Sequence, residues 1–181
     1  MICVMGLRII AFVGLPGSGK GVASDIARSM GLPVAVMGDV IREEASCRGL
    51  SGTDNDLGMV GNSLRREEGA DAIARRCLLR MIASGSPVYV VDGIRSPEEV
   101  ELFRSHSQEF HLVAVTASEE RRRGRITTRG RVDDGQSLEG RERREIGWGM
   151  VAAIALADSS ISNDCDLESF REAVRDRLSQ F

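Results

Sequence analysis

Seven residues, Gly14-Leu15-Pro16-Gly17-Ser18-Gly19-Lys20, combine three glycines with a terminal ammonium group. Glycines at this spacing let a short loop bend so that successive backbone N–H groups point inward and form a concavity for an anion. The loop follows the apolar run 9–13 and leads into a helical pattern, so strand, turn and helix together match a phosphate-binding loop (P-loop). The N-terminus of that helix adds its dipole to the same place. Of the 24 basic residues, 23 are arginine, and the one lysine stands at position 20. A compact ammonium rather than a planar fork is therefore wanted at that point. Gly21 and Val22 come next, and neither carries the hydroxyl that in most such loops ligates Mg²⁺.

Three further clusters have the types and spacing for phosphate chemistry. In Met37-Gly38-Asp39-Val40-Ile41-Arg42, Asp39 and Arg42 are three residues apart and share one helix face, with Asp39 placed to cap the helix. In Val88-Tyr89-Val90-Val91-Asp92-Gly93-Ile94-Arg95, an apolar strand ends in aspartate, which delivers a carboxylate beside a metal ion. The run Arg121, Arg122, Arg123, Arg125, Arg129 and Arg131 sets Arg121, Arg125 and Arg129 on one face at intervals of four. Arginine forks there suit charge spread over a transferring phosphoryl group. Arg122 and Arg123 read as solvated, as does the mixed-charge stretch Arg141–Glu145. Asn163 follows the last strand, near the site.

Short apolar runs at 8–13, 33–37, 88–91, 112–115 and, more weakly, 159–162 read as strands. Helical stretches fall between them at about 20–30, 40–47, 54–68, 70–84, 97–105, 119–127, 138–157 and 167–180. Alternation of this kind predicts an α/β fold, a five-stranded parallel sheet covered on both faces in three layers. Residues 38–86 form a helical insertion and residues 121–147 an arginine-rich one. Both lie over the carboxyl edge of the sheet, within one domain spanning 1–181.

Composition narrows the partners. The net charge is −3 and aromatics are only 4% of the chain, with one Tyr and one Trp. That argues against a nucleic-acid surface, which needs basic stripes and stacking platforms. Cys3, Cys47, Cys77 and Cys165 show no metal-ligand spacing, and with His106 and His111 they predict a reduced, cytoplasmic setting without structural zinc. The apolar start lacks a basic leader and reads as the approach to a buried strand, and no run is long enough to span a membrane.

The three segments 14–21, 38–42 and 92–95, in this order, resemble the adenylate kinase and dephospho-coenzyme A kinase branch of P-loop kinases. Adenylate kinases also place glycine directly after the lysine, followed by Thr where this chain has Val22. Their Thr-Gly-Asp-x-x-Arg segment is similar to residues 37–42, and their Asp-Gly-Phe-Pro-Arg segment to residues 92–95, without the proline. Residues 46–86 depart from the short insert of ordinary adenylate kinases. Together with Arg129-Gly130-Arg131 and Asp133-Asp134, the segments look like an archaeal family of adenylate-kinase-like proteins. The resemblance implies an ATP-dependent phosphotransferase acting on a small phosphorylated acceptor such as a nucleoside monophosphate or dephospho-coenzyme A. It implies that Gly14–Val22 hold the nucleotide and that Lys20, Asp92, Arg121 and Arg125 are catalytic, with Asp92 holding Mg²⁺ through water. It also implies that residues 38–86 are an acceptor-binding insertion and residues 121–147 a lid, that Asp39, Arg42 and Arg95 bind the acceptor, and that Arg129 and Arg131 belong to the lid. A nucleotide-dependent switch built on the same loop is the alternative, and it needs no acceptor pocket.

Overall fold

β1 (Arg8–Val13) is apolar at every position from Ile9 onward because both of its faces are covered. Ile9, Ala11 and Val13 point into one cluster and Ile10 and Phe12 into another, as the two-residue period of a strand requires. A continuous apolar run of this kind belongs to a central parallel strand, and that is where β1 lies. The computed structural model describes residues 6–129 and 138–181, and of Arg129 the backbone only. In it the order is β2-β3-β1-β4-β5, with every pair parallel. The other strands are β2 (Val34–Val36), β3 (Val88–Ile94), β4 (Glu109–Thr116) and β5 (Ser159–Ser162).

Helices fill both faces. α1 (Lys20–Ser29) and α9 (Leu167–Ser179) cover one side, where Phe12 and Phe170 are fully buried. α2 (Met37–Cys47), α3 (Asp54–Glu68), α4 (Ala72–Ser84), α5 (Pro97–His106) and α8 (Met150–Ala155) build the other side around Phe103, Ile73 and Met150. α6 (Glu119–Arg129) and α7 (Leu138–Gly147) lie at the carboxyl edge of the sheet. The expected three-layer α/β architecture is the one observed.

Several boundaries differ from the sequence expectation, each for a local reason. α2 begins at Met37, whose side chain is fully buried, so the chain turns into helix earlier than the sequence suggests. Val36 occupies the cap position and Asp39 does not cap; it pairs with Arg42 instead. β3 runs on to Ile94: Asp92 pairs with Phe12 and Ile94 with Val13, leaving Gly93 as an extra residue that bends the strand end. The single helix expected over 138–157 is two, because Gly149 has φ 104°, a left-handed value no ordinary residue tolerates within a helix. No helix among the described residues is long and apolar enough to cross a membrane. Cys47, Cys77 and Cys165 are free thiols, and burial pushes the Cys77 thiol up to about 12, leaving it unreactive.

Candidate nucleotide and acceptor site

The glycine loop joins the end of β1 to the start of α1 and is held from behind. Asn163 donates to the Ser18 carbonyl at 2.8 Å. Arg125 donates to the carbonyls of Gly17 and Ser18, both at 3.4 Å, and to Asn163 O and Oδ1 at 2.6 and 3.0 Å. Arg122 donates to Pro16 O at 3.2 Å and is ion-paired with Glu142. These bonds draw the loop's carbonyls to the back, which is the arrangement that turns N–H groups to the front. Gly19 makes the close packing feasible. Its φ is 115°, and a Cβ there would stand 2.1 Å from Asn163 Nδ2. No side chain caps α1 and no acid lies in its first turn, so its leading N–H groups are left for an anion.

Lys20 folds over the loop, its Nζ donating to Gly14 O at 2.5 Å and Leu15 O at 3.2 Å. Burial lowers its ammonium to about 8, against the raising influence of Asp92 and Glu145. A lowered lysine has a definite sign. Between about 8 and 10.5 the unfolded chain binds the proton that the folded chain has lost, so stability rises with pH across that window. Anion binding does the opposite, because it needs the cation. Nucleotide affinity measured with a fluorescent ATP analogue is expected to be flat below pH 8. Above it, the loss approaches about tenfold per pH unit, the limit for one proton. A flat profile to pH 9.5 would mean that Lys20 keeps an ordinary ammonium in the folded chain or does not touch the nucleotide.

Most of the residues expected to bind a donor and an acceptor line a single cavity of about 350 Å³; Gly14, Leu15 and Ser18 of the loop do not. Pro16, Gly17, Gly19, Lys20, Gly21 and Val22 line it together with Arg42, Asp92 and Arg95. Arg125 and Arg141 face it from α6 and α7. Asp39 lines an adjoining cavity together with Arg42 and Asp92, and its Oδ1 accepts from Arg42 Nη1 at 2.6 Å. Arg121 lies apart from both linings. It is exposed and donates to Cys165 O at 3.1 Å, so the structure does not bring it beside Arg125 in the cavity. Arg131 and the side chain of Arg129 fall outside the described residues.

Four residues matter more than their sequence context suggests. Glu145, read as surface, is 3% exposed and lines the cavity. Its Oε1 accepts from Arg95 Nε at 3.1 Å and Arg141 Nε at 3.3 Å. Burial alone would raise its carboxyl, but Arg95, Arg141 and Lys20 overcome that and hold it at about 2. Arg122, read as solvated, is 6% exposed because it straps the loop. Glu99 is completely buried; it accepts from the Arg95 backbone N–H at 2.7 Å and from Arg65 at 2.8 Å. Ser24, also buried, donates to Asp92 Oδ2 at 3.0 Å. A signal for Glu145 was present in its spacing from Arg141, an i,i+4 pair, but nothing in that pair says which face is buried.

The donor set suits a hard cation beside phosphates. Asp92 offers carboxylate oxygen on the cavity wall, the ligand type magnesium takes while keeping most of its waters. Among the described residues no group of three or more His, Cys, Asp and Glu could hold a metal ion.

Comparison with known proteins bears on the fold and the family. A family model described as an AAA domain matches residues 13–139. A "UPF0200 protein" of Methanothrix thermoacetophila is 56% identical over 175 residues, covering 93% of this chain and 95% of the relative. Another from Methanosarcina mazei is 48% identical over 179 residues, covering 97% and 96%. Among solved structures, TT1252 from Thermus thermophilus superposes with a TM-score of 0.62 at 20% identity, covering 97% of this chain and 98% of that one. Shikimate kinase from Bacteroides thetaiotaomicron gives 0.57 at 16% identity, covering 96% of each. At such identities the likeness speaks for the fold, which is that of P-loop kinases. With more than half its residues shared over nearly the full length of the Methanothrix relative, the chain belongs to the archaeal UPF0200 family.

Proposed function

We propose that this protein is an ATP-dependent phosphotransferase that moves the γ-phosphoryl group to a small phosphorylated acceptor, of the nucleoside monophosphate or dephospho-coenzyme A kind. The observation that carries the reading is the single cavity lined both by the phosphate loop and by Arg42 and Arg95. A nucleotide switch needs only the loop.

Lys20 and the loop N–H groups bind the β and γ phosphates and orient the γ phosphorus toward Arg42 and Arg95. Those two arginines hold the acceptor's own phosphate, so that its reacting oxygen faces the γ phosphorus. The bond from that phosphorus to the β-γ bridging oxygen breaks, releasing ADP, as the bond to the acceptor oxygen forms; a monophosphate attacks through an ionised oxygen, and a hydroxyl acceptor gives its proton to solvent. Arg125 and Arg141 donate to the oxygens on which negative charge develops, and α6 and α7 keep water out. Asp92 would hold a magnesium ion through water; bound, that ion neutralises charge on the β and γ oxygens. Since positioning and electrostatics carry the reaction, no nucleophilic side chain is required.

Screening acceptors with ATP and Mg²⁺ tests the reading. Arg42→Ala adds a discriminating arm. Loss of one charge-assisted contact costs about 1.5–3 kcal/mol, so the acceptor KM is expected to rise roughly 10- to 100-fold. Nucleotide affinity should stay unchanged. An Arg42→Ala variant whose acceptor KM matches the original would place the acceptor elsewhere.

A further inference from the structure

The loop lacks a hydroxyl at Gly21 and at Val22, yet a hydroxyl reaches a carboxylate that lines the same cavity as the loop. Ser24 is one helical turn beyond Lys20, on the same face of α1. It is 1% exposed, among the buried Ala23, Ile26 and Ala27 that pack on the sheet. A buried serine in a helix usually bonds the carbonyl four residues back. Here Oγ donates instead to Asp92 Oδ2, 3.0 Å away and 68 residues on in the chain. The other carboxylate oxygen of Asp92 takes no hydrogen bond from any described residue, and Asp92 lines both cavities. Gly21 lines them too, and a Cβ at Gly21 would meet nothing within 4 Å. The space where a loop hydroxyl would stand is therefore open, and it adjoins a carboxylate pinned by one oxygen.

We propose that Ser24 is a positioning residue for the divalent cation of a bound nucleotide: it fixes Asp92 so that the free oxygen is presented to the ion's waters, in place of the hydroxyl that the loop lacks. Ser24 itself touches neither nucleotide nor metal. The inference rests on the loop binding a nucleotide with its cation and is independent of the acceptor.

The test measures dissociation constants of a fluorescent ADP analogue in EDTA and across a Mg²⁺ titration, for the unaltered protein, Ser24→Ala and Ser24→Thr. Removal of an outer-shell partner commonly costs 10- to 100-fold in metal affinity. Ser24→Ala is therefore expected to raise the half-saturating Mg²⁺ concentration about tenfold while the constant in EDTA stays within about twofold. Ser24→Thr, which keeps the hydroxyl, should restore the Mg²⁺ response. An Ala variant with an unchanged Mg²⁺ titration overturns the proposal. So does one that weakens binding by the same factor with and without Mg²⁺, or a Thr variant that behaves like Ala. If the unaltered protein binds no nucleotide in either condition, the reading of the loop falls, and this inference with it. That outcome is distinct, because no variant is needed to see it.

Discussion

Lys20→Ala is expected to lower turnover by at least about 10²- to 10³-fold, the usual cost of deleting one preorganised electrostatic contact to a transition state. The fold should survive. Lys20 is held as a cation in a desolvating site, which is what lowers its ammonium to about 8, so its removal relieves an unfavourable burial. Urea unfolding midpoints of variant and original should therefore agree, or the variant should be slightly more stable at neutral pH. Lys20→Arg is the sharper comparison. A guanidinium keeps the charge but needs room for a planar fork, and Nζ is already within 2.5 Å of Gly14 O under a closely packed loop. Arg is expected to fail nearly as badly as Ala. An arginine variant with full activity would mean that charge alone matters, and the lone lysine in an arginine-rich chain would lose its explanation.

Glu145→Gln is the second large effect, on stability and site together. The carboxyl lies at about 2 in the folded chain against 4.5 for an ordinary glutamate. Its ionised form therefore contributes up to about 3 kcal/mol at neutral pH. The sign follows from the depressed value: that contribution is fully present above about pH 4.5 and is lost as pH falls toward 2. Glutamine keeps the shape and removes the charge, leaving Arg95 and Arg141 without their shared anion. A melting temperature lower at pH 7 is expected, by at most roughly 6–12 °C at about 2–4 °C per kcal/mol for a chain of this size. The gap between variant and original should narrow at pH 3. Arg95 would also lose its orientation, so the acceptor KM should rise alongside. An unchanged melting temperature at pH 7 would mean that the Arg95–Glu145–Arg141 contact contributes nothing.

The two variants illustrate what a sequence can and cannot convey here. The phosphate loop was legible because its function is written in backbone geometry: Gly19 needs a positive φ and the position is marked by the residue type itself. The sheet was legible because a parallel strand buried on both faces must be apolar throughout, as Ile9 to Val13 are. Glu145 was hidden because an i,i+4 Arg–Glu pair looks the same on a solvated helix and on one turned inward. The chain breaks after α7 at Gly149 and α8 starts at the fully buried Met150, a tertiary arrangement that the pair spacing does not convey. Arg122 was hidden among neighbouring arginines. Three adjacent cations on a helix point in three directions, and only tertiary packing says which one meets the Pro16 carbonyl. Ser24 was hidden because its partner is 68 residues away.

The central claim is that the γ-phosphoryl group leaves ATP for a small acceptor held by Arg42 and Arg95. It is tested most directly by following the label of γ-³²P-ATP with Mg²⁺ and a panel of nucleoside monophosphates and dephospho-coenzyme A. The account predicts label in a phosphorylated product of one acceptor, abolished by Lys20→Ala and moved to higher acceptor concentration by Arg42→Ala. Label found only in inorganic phosphate, at a rate no acceptor changes, would contradict it and leave a nucleotide-hydrolysing switch.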